Sequence, residues 1–249
     1  MDPEETVTSE LGKRVVAIVQ ARMTSRRLPG KVLMEIAGRP VLGHIVDRLD
    51  RCSKIQEIVV ATSSDPSDDP IAEFADANGI RCYRGSLEDV AGRMLGAARE
   101  SACDAFVRVN GDSPLMVPDL VDTGVDLFRS EDPDLVTNVR TRTFPKGQSV
   151  EVIALDSMAR ACREMSTDSE REHVTRHFYL NQDRFRIESF ESPENHGQVQ
   201  LSVDTREDLV RVDGIFGRLR ESGSSFALGD LIEAARFVDR DADSSRASP

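Results

Sequence analysis

The sequence predicts an α/β domain built on a mixed, mostly parallel sheet. Three observations predict it. Val15 to Val19 are five consecutive apolar residues, rich in Val and Ile, which suits a strand covered on both faces. Up to Ser130, short apolar runs alternate with helical stretches of about ten residues, the pattern of successive βαβ units. Beyond residue 134 the pattern changes: strands and turns crowd together before helices resume, so the sheet is mixed and carries an inserted subregion near 140–200.

Each element has its own signal. After the first strand and a polar loop, Ile36-Ala37-Gly38-Arg39-Pro40 reads as a turn. Val41 to Leu49 is an amphipathic helix with Val41, Leu42, Ile45, Val46 and Leu49 on one stripe. His44 lies off that stripe and is expected in solvent. Glu57 to Thr62 is a strand ending in the turn Ser63-Ser64-Asp65-Pro66. Pro70 opens a helix through Ala77, closed by Asn78-Gly79. Ile80 to Tyr83 is a short strand and Leu87 to Glu100 a helix; Ala105 to Val109 is a strand that runs into Asn110-Gly111-Asp112-Ser113-Pro114-Leu115. Pro118 starts a helix to Ser130. Strands follow at 135–139 and 149–155, helices at 157–165 and 169–180, and strands at 185–190 and 199–203. Helices at 207–220 and 228–237 close the ordered chain. There is no internal repeat and no linker rich enough to divide the chain, so one domain over 14–238 is expected, with disordered tails at 1–13 and 239–249.

Composition narrows the function. The net charge of −12 argues against nonspecific nucleic-acid binding, which runs on excess positive charge. No apolar run approaches a membrane span, and no signal peptide precedes the first strand. Cys52, Cys82, Cys103 and Cys162 are scattered without a C-x-x-C pair. They read as free thiols in a reducing cytoplasm rather than a zinc or disulfide framework.

Against this acidic background, cations cluster in one place. The first strand ends in a loop holding Arg22, Arg26, Arg27 and Lys31, closed by Pro29-Gly30. Open α/β sheets bind ligands beyond the carboxyl ends of their strands, so this loop is a candidate anion site; a solvated surface loop is the plain alternative. It is not a Walker loop, because Ser25 and Val32 stand where Gly and Ser or Thr are needed. A dinucleotide fingerprint is also absent. Its cations must therefore come from side chains. Arg holds phosphate oxygens in a planar fork, while Lys offers a compact charge that can follow a moving phosphate.

Two acidic residues complete the pattern. Asp112 follows a buried strand at a sharp turn, which suits magnesium, a cation wanting one or two carboxylates plus phosphate oxygens and water. A turn-forming Asp bonded to its own backbone is the alternative. Asp204 lies between a strand and a helix start. By position it could simply be an N-cap whose box Glu207 completes.

The order of these residues carries a resemblance. Gln20-Ala21-Arg22, Ser25 and Arg27-Leu28-Pro29-Gly30-Lys31 resemble the opening signature of the CTP-dependent cytidylyltransferases. Val109 to Leu115 resembles that family's first metal-binding segment, and Val203-Asp204-Thr205 with Asp208-Leu209 its second. Arg84 to Val90 with Arg93, and Glu170 to Thr175, resemble its spore-coat polysaccharide branch. The resemblance covers about residues 14–210.

The resemblance implies a single Rossmann-like nucleotidyltransferase domain of the GT-A-like kind, with an inserted dimerisation and acceptor subregion. Arg22, Lys31 and Asp112 are the expected catalytic residues. Gln20, Ala21, Arg22, Ser25, Arg27, Lys31 and Asn110 would contact CTP, with Thr62, Arg84, Gly85 and Ser86 reading the base. Asp112 and Asp204 would hold Mg2+. Arg108, Gln148, Glu151, Glu172 and His173 would contact a small acidic, sugar-like acceptor, with His173 equally open to a core or dimer role. A cytoplasmic homodimer is implied, with neither nucleic acid nor membrane as partner. Arg26 stands where a small residue is usual and is expected to bias the acceptor toward a more anionic one. Two rival readings remain: a nucleotide-sugar glycosyltransferase, against which the missing first Asp of an Asp-x-Asp pair counts at Asn110-Gly111-Asp112, and a non-catalytic nucleotide-binding relative.

Overall fold

The computed structural model describes residues 12–223 and 226–247. Nine strands are assigned among them: β1 (Val15–Gln20), β2 (Glu35–Ile36), β3 (Arg39–Pro40), β4 (Ile58–Ser63), β5 (Arg81–Gly85), β6 (Ala105–Asn110), β7 (Leu135–Thr137), β8 (Glu151–Ala154) and β9 (Ile187–Ser189). Nine α-helices accompany them: α1 (Val41–Leu49), α2 (Asp69–Ala77), α3 (Val90–Glu100), α4 (Pro118–Glu131), α5 (Leu155–Glu164), α6 (Asp168–Glu172), α7 (Arg176–Leu180), α8 (Arg206–Ser222) and α9 (Leu228–Ala247). Seven strands form one sheet in the order β5-β4-β1-β6-β8-β7-β9, and β2 and β3 form a separate hairpin. The β5-β4-β1-β6 block is parallel, β8 runs antiparallel to both β6 and β7, and β9 is parallel to β7. The sheet is therefore mixed and mostly parallel, as the alternation predicts.

The strand sequence explains the layering. Alternate residues of β1 point to opposite faces, and both sets are fully buried: Val15, Ala17 and Val19 pack with α1, α4, α8 and α9, while Val16 and Ile18 pack with α3 and α5. From β1 the chain steps outward to β4 and β5, then returns to pair β6 on the other side of β1. That reversal opens a crevice beyond Gln20 and Asn110, which are register partners. Gly111 makes the turn possible. A Cβ there would lie 2.7 Å from the Gln20 carbonyl.

Several expectations change. His44 is buried, its Nε2 2.6 Å from the Ile36 carbonyl and its ring 4.3 Å from that of Phe216. The long helix α8 covers the face of α1 that the hydrophobic stripe leaves out, and burial pulls the imidazole pKa below its usual value. Residues 199–203 are not a strand: only the isolated bridge between Lys146 and Gln200 forms. Gly147 turns sharply beside it, at φ 93°, and cuts the ladder short. The helix expected over 169–180 breaks into α6 and α7 at Val174, a buried residue at φ 26°. α9 continues to Ala247, well past 238; the expected tail at 1–13 lies almost wholly outside the described residues. All four cysteines are free, and burial pushes the Cys103 and Cys162 thiols up to about 11. Among the described residues, no helix is long and apolar enough to cross a membrane.

The α6–α7 elbow is held by a buried contact between an imidazole and a carboxylate. His177 Nδ1 lies 2.6 Å from Glu170 Oε1, and Thr167 caps α6 in a box that Glu170 completes. The His177 contact first, and Thr167 second, hold the Glu170 carboxyl down at about 2 against a usual 4.5. A depressed carboxylate contributes stability above its unfolded value and loses it as pH falls through the folded one. Thermal midpoints are therefore expected to fall between pH 4.5 and 2, and a Glu170→Gln variant to show a shallower fall in calorimetry over that window.

Candidate active site

The loop after β1 is shaped by its own main chain. Gly30, at φ 74°, donates its N–H to the Met23 carbonyl at 2.8 Å, closing the loop at its neck and leaving Arg26 and Arg27 at the tip. Met23 N–H donates to Asp68 Oδ1 at 2.7 Å, and Asp68, fully buried, also accepts from the Ser63 N–H and hydroxyl. Asp68 thus ties the loop to the end of β4. Nothing in the local sequence marks it, because its partner lies 45 residues away.

Beyond the neck, a short 3-10 turn over Lys31–Leu33 sends Lys31 inward, where it is 8% exposed. Its Nζ donates to Asp112 Oδ2 at 2.8 Å, to the Val203 carbonyl at 2.7 Å and to Asp204 Oδ1 at 3.0 Å. Arg27 reaches the same Asp204 oxygen at 2.8 Å. The two carboxylates, 92 positions apart in the chain, therefore meet on one ammonium. Main chain holds them there, since Val203 N–H donates to the Asp112 carbonyl at 2.8 Å. Asp204 is not the N-cap of α8. Thr205 is, with Asp208 completing the box, and the Asp208 carboxylate accepts from the Asp204 N–H. The Asp204 side chain is consequently left for the site.

A cavity of about 330 Å³ opens over this cluster. Gln20, Ala21, Ser25 and Asn110 line it, together with Arg22, Arg26, Arg27 and Lys31 and with Asp112, Glu172 and Asp204. Arg22 pairs loosely with Glu172, at 3.5 Å. A second cavity of about 380 Å³ lies over β6 and β8, lined by Arg108, Glu151 and His173 among the expected acceptor residues, by Asn110, which lines the first cavity too, and by Arg142, Arg176 and Tyr179, which sequence reasoning missed. A small third cavity shares Gln20, Arg22 and Glu172 with the first and Arg108 and His173 with the second. The break between α6 and α7 is what turns His173 toward both of the latter.

Arg108 is fixed at this junction. Its Nε donates to Gln20 Oε1 at 3.0 Å and its Nη1 to Glu151 Oε2 at 2.5 Å. Glu151 also accepts from the Tyr179 hydroxyl at 2.7 Å. Burial, and then the Glu151 charge, push the phenol far above its usual pKa, so it stays a donor.

The structure does not bring every candidate to the cavities. Gln148 is fully buried and faces the core: its Oε1 accepts from Val117 N–H and its Nε2 donates to the Leu115 carbonyl. It braces the turn after Asp112 and is not placed to touch an acceptor. Thr62 is fully buried with an unpartnered hydroxyl. Arg84 turns back to the Ser63 and Asp65 carbonyls and to Asp69. Gly85 lies under Arg93, and Ser86 Oγ accepts from Asp89 N–H. None of these four lines the nucleotide-sized cavity. Arg26 lines that cavity and not the one over β8.

The sequence pattern of the cytidylyltransferase family matches residues 16–218. The chain is 32% identical over 198 residues to an uncharacterised protein of Methanocaldococcus jannaschii, covering 79% of this chain and 80% of that one. It is 28% identical over 213 residues to the spore coat polysaccharide biosynthesis protein SpsF of Bacillus subtilis, covering 83% and 88%. A 3-deoxy-manno-octulosonate cytidylyltransferase of Geobacter sulfurreducens matches at 35% over 113 residues, 45% of this chain and 44% of that protein. Among solved structures, a cytidylyltransferase from Leptospira borgpetersenii superposes with a TM-score of 0.83 at 26% identity, over 95% of this chain and 98% of that one. The chain belongs to the cytidylyltransferase family and is a CTP-dependent nucleotidyltransferase.

Proposed function

We propose that this enzyme moves CMP from CTP to a small acidic, sugar-like precursor of a surface polysaccharide, releasing pyrophosphate. The observation that carries the reading is the junction of two cavities: one rich in cations around a carboxylate pair, the other polar and lined by three arginines, linked by a small third cavity that borders Gln20 and Arg22 of the first and Arg108 and His173 of the second. An acceptor hydroxyl in the second cavity would attack the α-phosphorus of CTP in the first. The new P–O bond forms as the bond to the β-phosphate breaks, pyrophosphate leaves with the electron pair, and the hydroxyl proton passes to solvent.

The chain's residues position and neutralise in this reading. Lys31 and Arg27 already sit on Asp204, so they bear on phosphates held beside the carboxylates. One cation–phosphate pair at 4 Å is worth roughly 4 kcal/mol at an effective dielectric of 20 and about 1 kcal/mol in water. The loop tip must therefore close over the nucleotide to be effective. Two carboxylates within 3.0 Å of one cation fit magnesium, which takes few protein ligands and completes its shell with phosphate and water. Among the described residues no group of three or more His, Cys, Asp or Glu forms the alternative, a dedicated protein cage. Asp112 and Asp204 would hold the ion, which when bound withdraws charge from the phosphate oxygens. Base recognition falls to main chain near Ala21, which lines the first cavity, and not to Thr62 or the 84–86 segment, which do not. A homodimer through the inserted subregion fits Leu180, 61% exposed on the acceptor-cavity rim, and free thiols fit a cytoplasmic enzyme.

The test is pyrophosphate release from the full chain with CTP, magnesium and a panel of keto-sugar acids. Release with at least one acid, and not with neutral sugars, is expected. CTP binding without release across the panel would remove the sugar-acid class.

A further inference from the structure

We infer that Arg26 is the contact for the terminal phosphate of the nucleotide and sets the preference for a triphosphate over a diphosphate. The inference rests on the nucleotide assignment above.

Charge pairing in the cavity singles Arg26 out. Four cations and three carboxylates line it. Lys31 is paired with Asp112 and Asp204, Arg27 with Asp204, and Arg22 with Glu172. Among the described residues Arg26 makes no ion pair and no hydrogen bond. It is the surplus charge, and a phosphate reaching it displaces no carboxylate. A phosphate reaching any of the other three must share a cation that already has a partner.

Position decides which phosphate this is. Lys31 lies at the floor of the cavity, against the carboxylates. Arg22 leaves the end of β1 toward α6 and lines the junction with the acceptor cavity. Reaction takes place at that junction, so the α-phosphate lies between them. Arg26 projects from the loop tip, beyond the neck closed by Met23 and Gly30, and does not line the junction. The phosphate furthest from the reacting atom is the one that reaches it. A triphosphate carries about four negative charges, so a single surplus arginine at the far end distinguishes it from a nucleotide one phosphate shorter.

The test is titration calorimetry of the full chain and of Arg26→Ser with CTP and with CDP, in magnesium at fixed ionic strength. Arg26 is exposed and unpaired, so the thermal midpoint of the variant should stay where it is, which removes unfolding as an explanation. The variant is expected to bind CTP about tenfold more weakly and CDP within twofold of the unmodified chain. Inorganic pyrophosphate, used as a competitor of CTP binding, should weaken by the same factor as CTP. Equal loss for CTP and CDP would place Arg26 on a shared phosphate, and no loss for either would make it a solvated arginine; both overturn the inference. Failure of the unmodified chain to bind CTP would instead overturn the nucleotide assignment, and the role of Arg26 with it.

Discussion

Replacing Asp112 with Asn should lower kcat/KM by about a thousandfold while leaving the fold intact, the loss expected when several kcal/mol of charge stabilisation disappear from a nucleotidyl transfer site. The carboxylate does two things that an amide cannot. It offsets the buried Lys31 ammonium at 2.8 Å, and with Asp204 it supplies the negative pair suited to a divalent ion. Stability should change little. Asp112 is partly exposed, Lys31 keeps Asp204 and the Val203 carbonyl, and the main-chain bond from Val203 N–H to the Asp112 carbonyl does not depend on the side chain. Steady-state pyrophosphate release with a parallel thermal melt checks both halves. Unchanged turnover would take Asp112 out of the mechanism, and a collapsed melt would make its role structural.

The second large effect is on stability. Glu151→Ala should cost about 3 kcal/mol, because breaking one partner of a buried ion pair leaves the other charge uncompensated. Arg108 would keep only Gln20, and Tyr179 would keep only Thr137. For a chain of this size that corresponds to a fall of about 10 °C in Tm. Glu151→Gln, which keeps the shape and can still accept from Tyr179, should cost less than Glu151→Ala. Because Arg108 lies where the two cavities meet, both variants should raise the KM for the acceptor more than that for CTP. A Glu151→Gln variant as stable as the unmodified chain, beside a destabilised Glu151→Ala, would mean that packing, not charge, is at stake.

These effects start from residues with very different visibility in the sequence. The strand β1 and its cationic loop are legible because their signals are local: an unbroken apolar run, then four cations within ten positions of an acidic chain. Asp112 and Asp204 each look ambiguous alone and become legible as an ordered set. The choice at Asp204 turned on a shift of one residue, since Thr205 and Asp208 form the box that Asp204 and Glu207 would otherwise have formed. What local pattern cannot carry is contact across the chain. His44 looks solvated until α8 is laid over it, Gln148 reads as an acceptor contact until it meets the turn at 115–117, and Asp68 gains its tie to the loop from Met23, 45 residues away. The cavity over β8 is the least legible part, because Arg142 and the α7 pair Arg176 and Tyr179 come from two separate segments brought together by the elbow between α6 and α7.

The central claim is that the Arg22–Lys31 loop and the two distant aspartates serve one triphosphate. Crystals soaked with CTP and manganese, read by anomalous scattering, test it most directly. The account predicts a metal peak within coordination distance of Asp112 and Asp204 and a triphosphate lying along the loop. A nucleotide outside the loop, or a metal that touches neither aspartate, would contradict it.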